Sequence, residues 1–277
     1  MTTSFDRQRN DPSQSIAEDL NRPGGPLLIA FSGFAHALPI PSFEFVGVSR
    51  DLAINRIFVR DLTQTWYHAG HVGISTSIDG TAAYLKRKIE EAAANRVVLV
   101  GNSAGAYAAI LLGTMLDADV VHAFAPYSML GDKRFLRNQE TIEDVHQRFP
   151  HQYFDLRAVV QRYERSGAIH LYYDPELTID SWQAMHLDGL PNVHHHTLPG
   201  RSHELIYLLR DSGELTKILS ASVEGSAHTL DMSVVPIWHK AKTTLLARLK
   251  KRIRAVLGPR VAHRLPASSD RGSRRSR

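Results

Sequence analysis

Ser103 stands in Gly101-Asn-Ser-Ala-Gly105, a serine flanked at two residues' distance by glycine on either side. A serine hydroxyl is a poor nucleophile until a neighbouring base takes its proton. Reactive serines therefore need both an unusual backbone setting and a partner from elsewhere in the chain. The setting is present. Val97-Val-Leu-Val100 is a continuous apolar run, as expected of a strand covered on both faces, and Ala104 to Leu116 reads as a helix of small and apolar residues. A strand running into Gly-x-Ser-x-Gly with a helix leaving it predicts a strained turn that holds the Ser103 side chain clear of the backbone. The flanking glycines keep Cβ atoms out of a crowded space. Without that context the pattern would be an ordinary Gly-rich turn.

The base is expected late in the chain, just beyond the last strand, where Leu198-Pro-Gly-Arg-Ser-His203 offers His203. With 15 histidines in the chain, position rather than residue type selects it. The acid that orients the imidazole should follow the preceding strand. Asp174, directly after Ile169-His-Leu-Tyr-Tyr173, is the first choice, Asp180 the second and Glu176 the third. Asp180 has a competing role, because Asp180-Ser-Trp-Gln183 reads as a helix N-cap with glutamine at the capping-box position. An oxyanion hole needs backbone N–H groups. One is expected from Ala104 and the other from the loop Phe31-Ser-Gly-Phe34, with Phe34 favoured as donor and Gly33 allowing close approach.

Trp66, Tyr67 and Pro126 are candidate substrate-binding residues. Asp61, Trp66, Tyr67 and His68 follow the strand Arg56–Arg60, and Phe124-Ala-Pro-Tyr127 follows another. Trp66 and Tyr67 serve equally well as packing residues. His122 and His170 fall within strands and read as core or face residues. His194, His195 and His196 suggest a metal cluster, but adjacent strand residues face opposite sides, so no metal site is expected. No cofactor is expected either.

These residues sit on strands alternating with helical patterns, which predicts an α/β fold: a mainly parallel sheet with crossover helices. Strands are expected at 27–31, 56–60, 97–100, 120–124, 169–173 and 193–198, with Phe43–Val48 an edge strand or loop. Helices are expected over 80–94, 104–116, 140–148, 155–165, 181–188 and 204–220. Residues 128–165 form a cap-like helical insertion over the sheet's carboxyl edge, where ligands bind in open α/β sheets. Residues 1–24 are polar and read as a disordered leader, ahead of a domain over 25–236. No antiparallel strand is evident before residue 27, which predicts a small sheet.

The 237–277 segment differs in kind. It holds 13 of the 33 Lys/Arg but one of the 28 Asp/Glu, so the net charge of +5 belongs to it and the rest of the chain is acidic. Trp238, Leu245, Leu246, Leu249, Ile253, Val256 and Leu257 recur at helical spacing among basic residues, predicting a basic amphipathic helix over 237–257 and a disordered end. Such a helix can touch an anionic membrane surface or an acidic partner, or pack on the domain by its apolar side. No recognised nucleic-acid module accompanies the charge, so no nucleic acid is expected. The absence of cysteine excludes disulfides and thiolate metal sites. Without a signal-like N-terminus or an apolar run near 18 residues, a cytoplasmic protein is expected, peripheral at most to the inner face of a membrane.

The order of these elements over about residues 26–220 resembles the α/β-hydrolase superfamily. The resemblance rests on the Ser103 turn, the loop after residue 31 and the late His203. It implies an acyl-enzyme mechanism: hydrolysis of an ester by a serine esterase, or acyl transfer with the same three residues. More narrowly, Arg60-Asp-Leu-Thr-Gln-Thr-Trp-Tyr-His-Ala-Gly70, Gly101–Tyr107 and Leu209-Arg-Asp-Ser-Gly-Glu-Leu215 resemble a bacterial branch associated with surface-polysaccharide genes and an accessory secretion component. That likeness implies an acyl group on a carbohydrate as substrate, or a non-catalytic component of a glycan or secretion assembly. The acid lies outside the Gly-x-x-Asp setting usual in the superfamily, a departure that leaves its assignment open.

Overall fold

A computed structural model describes residues 3–34, 41–131, 139–163 and 166–237. The chain divides into two units, Met1–Pro236 and Ile237–Arg277. The amphipathic helix and disordered end expected in the second unit lie outside the described residues.

The first unit is built on a seven-stranded sheet. Its strands are β1 (Ile16–Asp19), β2 (Leu27–Phe31), β3 (Asn55–Val59), β4 (Val97–Asn102), β5 (Val120–Phe124), β6 (Ala168–Tyr173) and β7 (Val193–Thr197), in the spatial order β1-β3-β2-β4-β5-β6-β7. All neighbours are parallel except β1, which runs antiparallel to β3. Every residue of β2 and β5 is buried, which explains why these strands read as unbroken apolar runs rather than alternating ones. Phe31 pairs with Gly101, Asn102 with Phe124 and Phe124 with Tyr172. That register brings the carboxyl ends of β2, β4, β5 and β6 to one edge, so the loops that follow them share one end of the sheet.

Among the described residues the helices are α1 (Ser4–Asn10), α2 (Ile78–Glu91), α3 (Ala104–Met115), α4 (Gln139–Arg148), α5 (Leu156–Arg162), α6 (Thr178–Met185), α7 (Leu205–Asp211) and α8 (Glu214–Glu224). α3 buries every residue from Ala104 to Thr114, as a helix apolar on all sides must. Its small residues let it lie close to the sheet: a Cβ on Gly113 would meet Val121 Cγ2 at 2.5 Å. α4 and α5 belong to the insertion between β5 and β6. The insertion is tied down where Tyr107 Oη–H of α3 donates to the Tyr153 carbonyl at 2.7 Å.

Two expectations are corrected. Residues 3–24 are not a disordered leader: α1 and β1 form there, with Ile16 and Ala17 buried against the sheet and Phe5 5.5 Å from Phe58. The buried Arg60 guanidinium fastens this segment by donating to the carbonyls of Gln14 (2.8 Å) and Asp11 (2.6 Å), and donates also to that of Pro41 (3.1 Å). A four-residue strand whose second half is Glu18-Asp19 shows too little apolar pattern to be seen in sequence. Phe43–Val48, expected as an edge strand or loop, is loop and turn. The last expected helix is two, because Gly213 adopts a left-handed conformation (φ 82°) that ends α7 and starts α8.

Candidate active site

Ser103 occupies the turn between β4 and α3 with φ 55° and ψ −116°, a conformation that costs a non-glycine residue about 1–3 kcal/mol. The surroundings enforce it. Ser103 N–H donates to the Phe124 carbonyl at 2.9 Å. A Cβ on Gly101 would sit 2.0 Å from the Gly105 carbonyl oxygen, and one on Gly105 would sit 2.3 Å from that of Phe31. Both glycines of the motif are therefore steric requirements of the turn.

His203 reaches Ser103 from the loop after β7. Its Nε2 is 3.1 Å from Ser103 Oγ, and its Nδ1 is 2.9 Å from Asp180 Oδ2. A carboxylate can only accept, so Nδ1 carries the proton and Nε2 is left to accept from the Ser103 hydroxyl. The Asp180 side chain is buried and that of His203 nearly so, at 1% and 13% exposure, which shields this chain of hydrogen bonds from water.

The carboxylate beside His203 is thus that of Asp180, and the preference for Asp174 is corrected. Asp174 is buried, but its oxygens are spent on backbone: Oδ1 accepts from Glu176 N–H (3.0 Å) and Gly200 N–H (3.2 Å), and Oδ2 from Ser202 N–H (2.7 Å). It shapes the loop that delivers His203, in which Ser202 takes φ 66°. Glu176 is exposed. In sequence Asp180 reads as an N-cap, but α6 starts two residues earlier, with Leu177 at the N-cap. Asp180 lies inside the first turn and points at His203. Gln183 closes no capping box either, because its Oε1 accepts from Ser128 N–H at 2.7 Å and Met129 N–H at 2.9 Å.

The loop after β2 is held on four sides. Ser32 N–H donates to the Val59 carbonyl, and Tyr67 Oη–H donates to the Ser32 carbonyl at 2.7 Å. Glu44 N–H donates to Ser32 Oγ at 3.1 Å, and Gly33 N–H donates to Glu44 Oε2 at 3.3 Å. Among the described residues the N–H groups of Phe34 and Ala104 have no acceptor, while those of Gly33 and Ser103 are occupied. Glu44 had no signal in sequence, since nothing marks a loop glutamate as half-buried against Gly33. Burial pushes its carboxyl up to about 7, against the opposing pull of Gly33 N–H and Arg210.

The candidate substrate residues divide. Tyr67 is buried with its hydroxyl engaged on Ser32, so its assignment to substrate is corrected to packing. Trp66 is buried between Phe34 (5.0 Å between ring centroids) and Tyr127 (5.0 Å), and Tyr127 stands 6.1 Å from the His203 ring. It backs the site from one ring away, and its Nε1 has no acceptor among the described residues. Trp66 (φ 56°) and Tyr67 (φ 68°) are both left-handed, and Asp61 holds that turn through Tyr67 N–H at 2.8 Å. Pro126 is buried between left-handed Ala125 and Tyr127. His68 is buried against Tyr107 Oη at 2.9 Å, and burial pushes it down to about 3.

On β7, His194 stacks on His170 and His196 Nε2 lies 2.9 Å from His170 Nδ1, while His195 lies on the other face toward Tyr173. Among the described residues no three His, Cys, Asp or Glu side chains are placed to hold a metal ion, and no helix is long and apolar enough to cross a membrane. A cavity of about 420 Å³ lies between residues 42–48 and α7, with Phe43, Glu44, Phe45, Ile206, Tyr207 and Arg210 among its walls.

No family model matches the chain, and no curated protein is similar to it in sequence. Solved structures are. The capsule O-acetyltransferase of Neisseria meningitidis serogroup A superposes with a TM-score of 0.55 at 16% identity, over 73% of this chain and 90% of that one. A variant of that enzyme in complex with CoA gives 0.52 at 14% identity, over 74% and 90%. A Staphylococcus aureus protein assigned as a candidate esterase gives 0.50 at 14% identity, over 72% and 75%. Together with the sheet order, these likenesses show that the chain has the α/β-hydrolase fold.

Proposed function

We propose that this protein is a serine enzyme acting on esters, with Ser103 as nucleophile, His203 as general base and acid, and Asp180 as the group that orients His203. The observation that carries the reading is the unbroken Ser103–His203–Asp180 hydrogen-bond chain at a turn whose strain both glycines enforce. Ser103 Oγ attacks the ester carbonyl carbon while its proton passes to His203 Nε2, and Asp180 stabilises the imidazolium. The carbonyl oxygen becomes an oxyanion that accepts from the free N–H groups of Ala104 and Phe34, each worth about 3–4 kcal/mol in the transition state. His203 then returns the proton to the departing alcohol oxygen, leaving an acyl-Ser103. Water attacks that acyl group with His203 again as base. Hydrolysis of p-nitrophenyl acetate by the wild-type protein, lost in Ser103→Ala with folding intact, is the expected result. Equal rates for the two proteins would refute it.

A second reading, acyl transfer to a sugar hydroxyl, is favoured by the likeness to a capsule O-acetyltransferase. It uses the same three residues with an alcohol in place of water. Release of acetylated sugar when a polysaccharide acceptor is added to the esterase assay separates the two. The Asp180–His203 contact speaks against a purely non-catalytic role as part of a glycan or secretion assembly. Contact of residues 237–277 with an anionic membrane surface or an acidic partner, at the inner face of a membrane, is proposed from their charge and spacing alone.

A further inference from the structure

We infer that Glu44 is a positioning residue for this reaction: by taking the Gly33 N–H it fixes the loop after β2 so that the Phe34 N–H is the one left to the oxyanion. This rests on the serine-ester reading above. The loop has two consecutive peptide N–H groups, those of Gly33 and Phe34, and among the described residues only that of Gly33 has an acceptor. Gly33 packs against the residue before the nucleophile, where a Cβ on it would lie 3.1 Å from the Asn102 carbonyl oxygen. Glu44 grips the loop at two points, through its carboxylate on Gly33 N–H and its own N–H on Ser32 Oγ. The Ser32 carbonyl is already fixed by Tyr67, so rotation of the Ser32–Gly33–Phe34 backbone is opposed from both sides. With Gly33 N–H occupied, a competing donor geometry is removed.

The carboxyl also carries an electrostatic consequence. It lines the cavity against α7, where Arg210 draws it toward ionisation and Tyr207 faces it; on the turn after β3, Tyr67 faces it too. Burial outweighs Arg210 and raises the carboxyl to about 7, so it passes from mostly neutral to mostly ionised as pH rises through neutrality. A neutral acid still accepts from Gly33 N–H. Ionised, it places a negative charge one peptide away from a donor meant for an oxyanion, and so opposes the transition state.

The test compares Glu44→Ala and Glu44→Gln with wild type in p-nitrophenyl acetate turnover and in the rate of fluorophosphonate labelling. Glu44→Ala frees the loop, and kcat should fall about tenfold to a hundredfold with little change in KM, as expected of misplacement rather than lost binding. Glu44→Gln keeps an acceptor and should stay within about threefold of wild type, with its rate relative to wild type rising from about pH 6 to about pH 8. Every group other than residue 44 is common to both proteins, so the ratio isolates the Glu44 carboxyl. An unimpaired Glu44→Ala, a Glu44→Gln as weak as Glu44→Ala, or a flat ratio would each overturn the assignment. If Glu44→Ala fails to fold, the Glu44→Gln ratio decides. A wild-type protein that neither labels nor hydrolyses defeats the serine reading itself, whereas an active wild type with indifferent Glu44 variants defeats only this inference.

Discussion

Asp180 Oδ2 lies 2.9 Å from His203 Nδ1, although one comes from the first turn of α6 and the other from the loop after β7. Six residues before Asp180, Asp174 holds the backbone of Gly200 and Ser202 instead. One aspartate faces the imidazole and the other builds the loop carrying it, so their substitutions should fail in different ways.

Asp180→Asn should leave thermal stability nearly unchanged and lower kcat by about 10³–10⁴-fold, because an amide favours the wrong imidazole tautomer. Asp174→Asn should lower stability by about 1–3 kcal/mol, since it weakens acceptors for three buried or half-buried N–H groups. Urea denaturation beside ester kinetics distinguishes the two. A stable, inactive Asp174→Asn with a fully active Asp180→Asn would reverse the roles.

Gly101→Ala and Gly105→Ala place a methyl group against backbone atoms that cannot yield, at 2.0 Å and 2.3 Å. Each should destabilise the protein by roughly 3 kcal/mol or more, at the upper end of overpacking penalties. A midpoint in urea unchanged from wild type would contradict the close approach of α3 to β2 and β4.

Much of this site was legible in the sequence, and the failures have physical reasons. Ser103 could be found because its strand and helix are buried on all sides and so read as apolar runs. His203 could be found because it follows the last strand. Asp180 is obscured by a helix boundary: α6 starts at Thr178 behind Leu177, which has no capping side chain, whereas Asp180 is a residue type common at N-caps. β1 was missed because it is an edge strand only four residues long, held by pairing with β3, about 40 residues further along the chain. Glu44 gave no signal because its burial depends on how the 41–48 segment folds back over Gly33.

The N-terminal segment should therefore count in stability. Arg60→Ala leaves three carbonyl oxygens without their donor and should cost about 3 kcal/mol. Deleting residues 1–20 removes β1 from β3 and should lower the melting temperature further than Arg60→Ala does. A truncated protein as stable as the full chain would show that this segment is dispensable.

Glu214 predicts a pH dependence of stability. It is fully buried, which would raise its carboxyl, but hydrogen bonds from Lys217 and His228 and from Asp231 N–H outweigh burial and lower it from 4.5 to about 2. A group with a depressed folded value contributes stability that is fully present above its unfolded value and is lost as pH falls toward the folded one. Unfolding free energy should decline between about pH 5 and pH 2, and Glu214→Gln should be less stable than wild type at pH 7 with a smaller further loss on acidification. Parallel pH curves for the two proteins would exclude this carboxylate as a source of the acid sensitivity.

The account stands most directly on what Ser103 does. Reacting the full-length protein with a fluorophosphonate and locating the adduct by peptide mass spectrometry should place one phosphonyl group on Ser103, absent from Ser103→Ala and formed far more slowly in Asp180→Asn. No adduct on Ser103, or labelling that persists undiminished in Ser103→Ala, would contradict it.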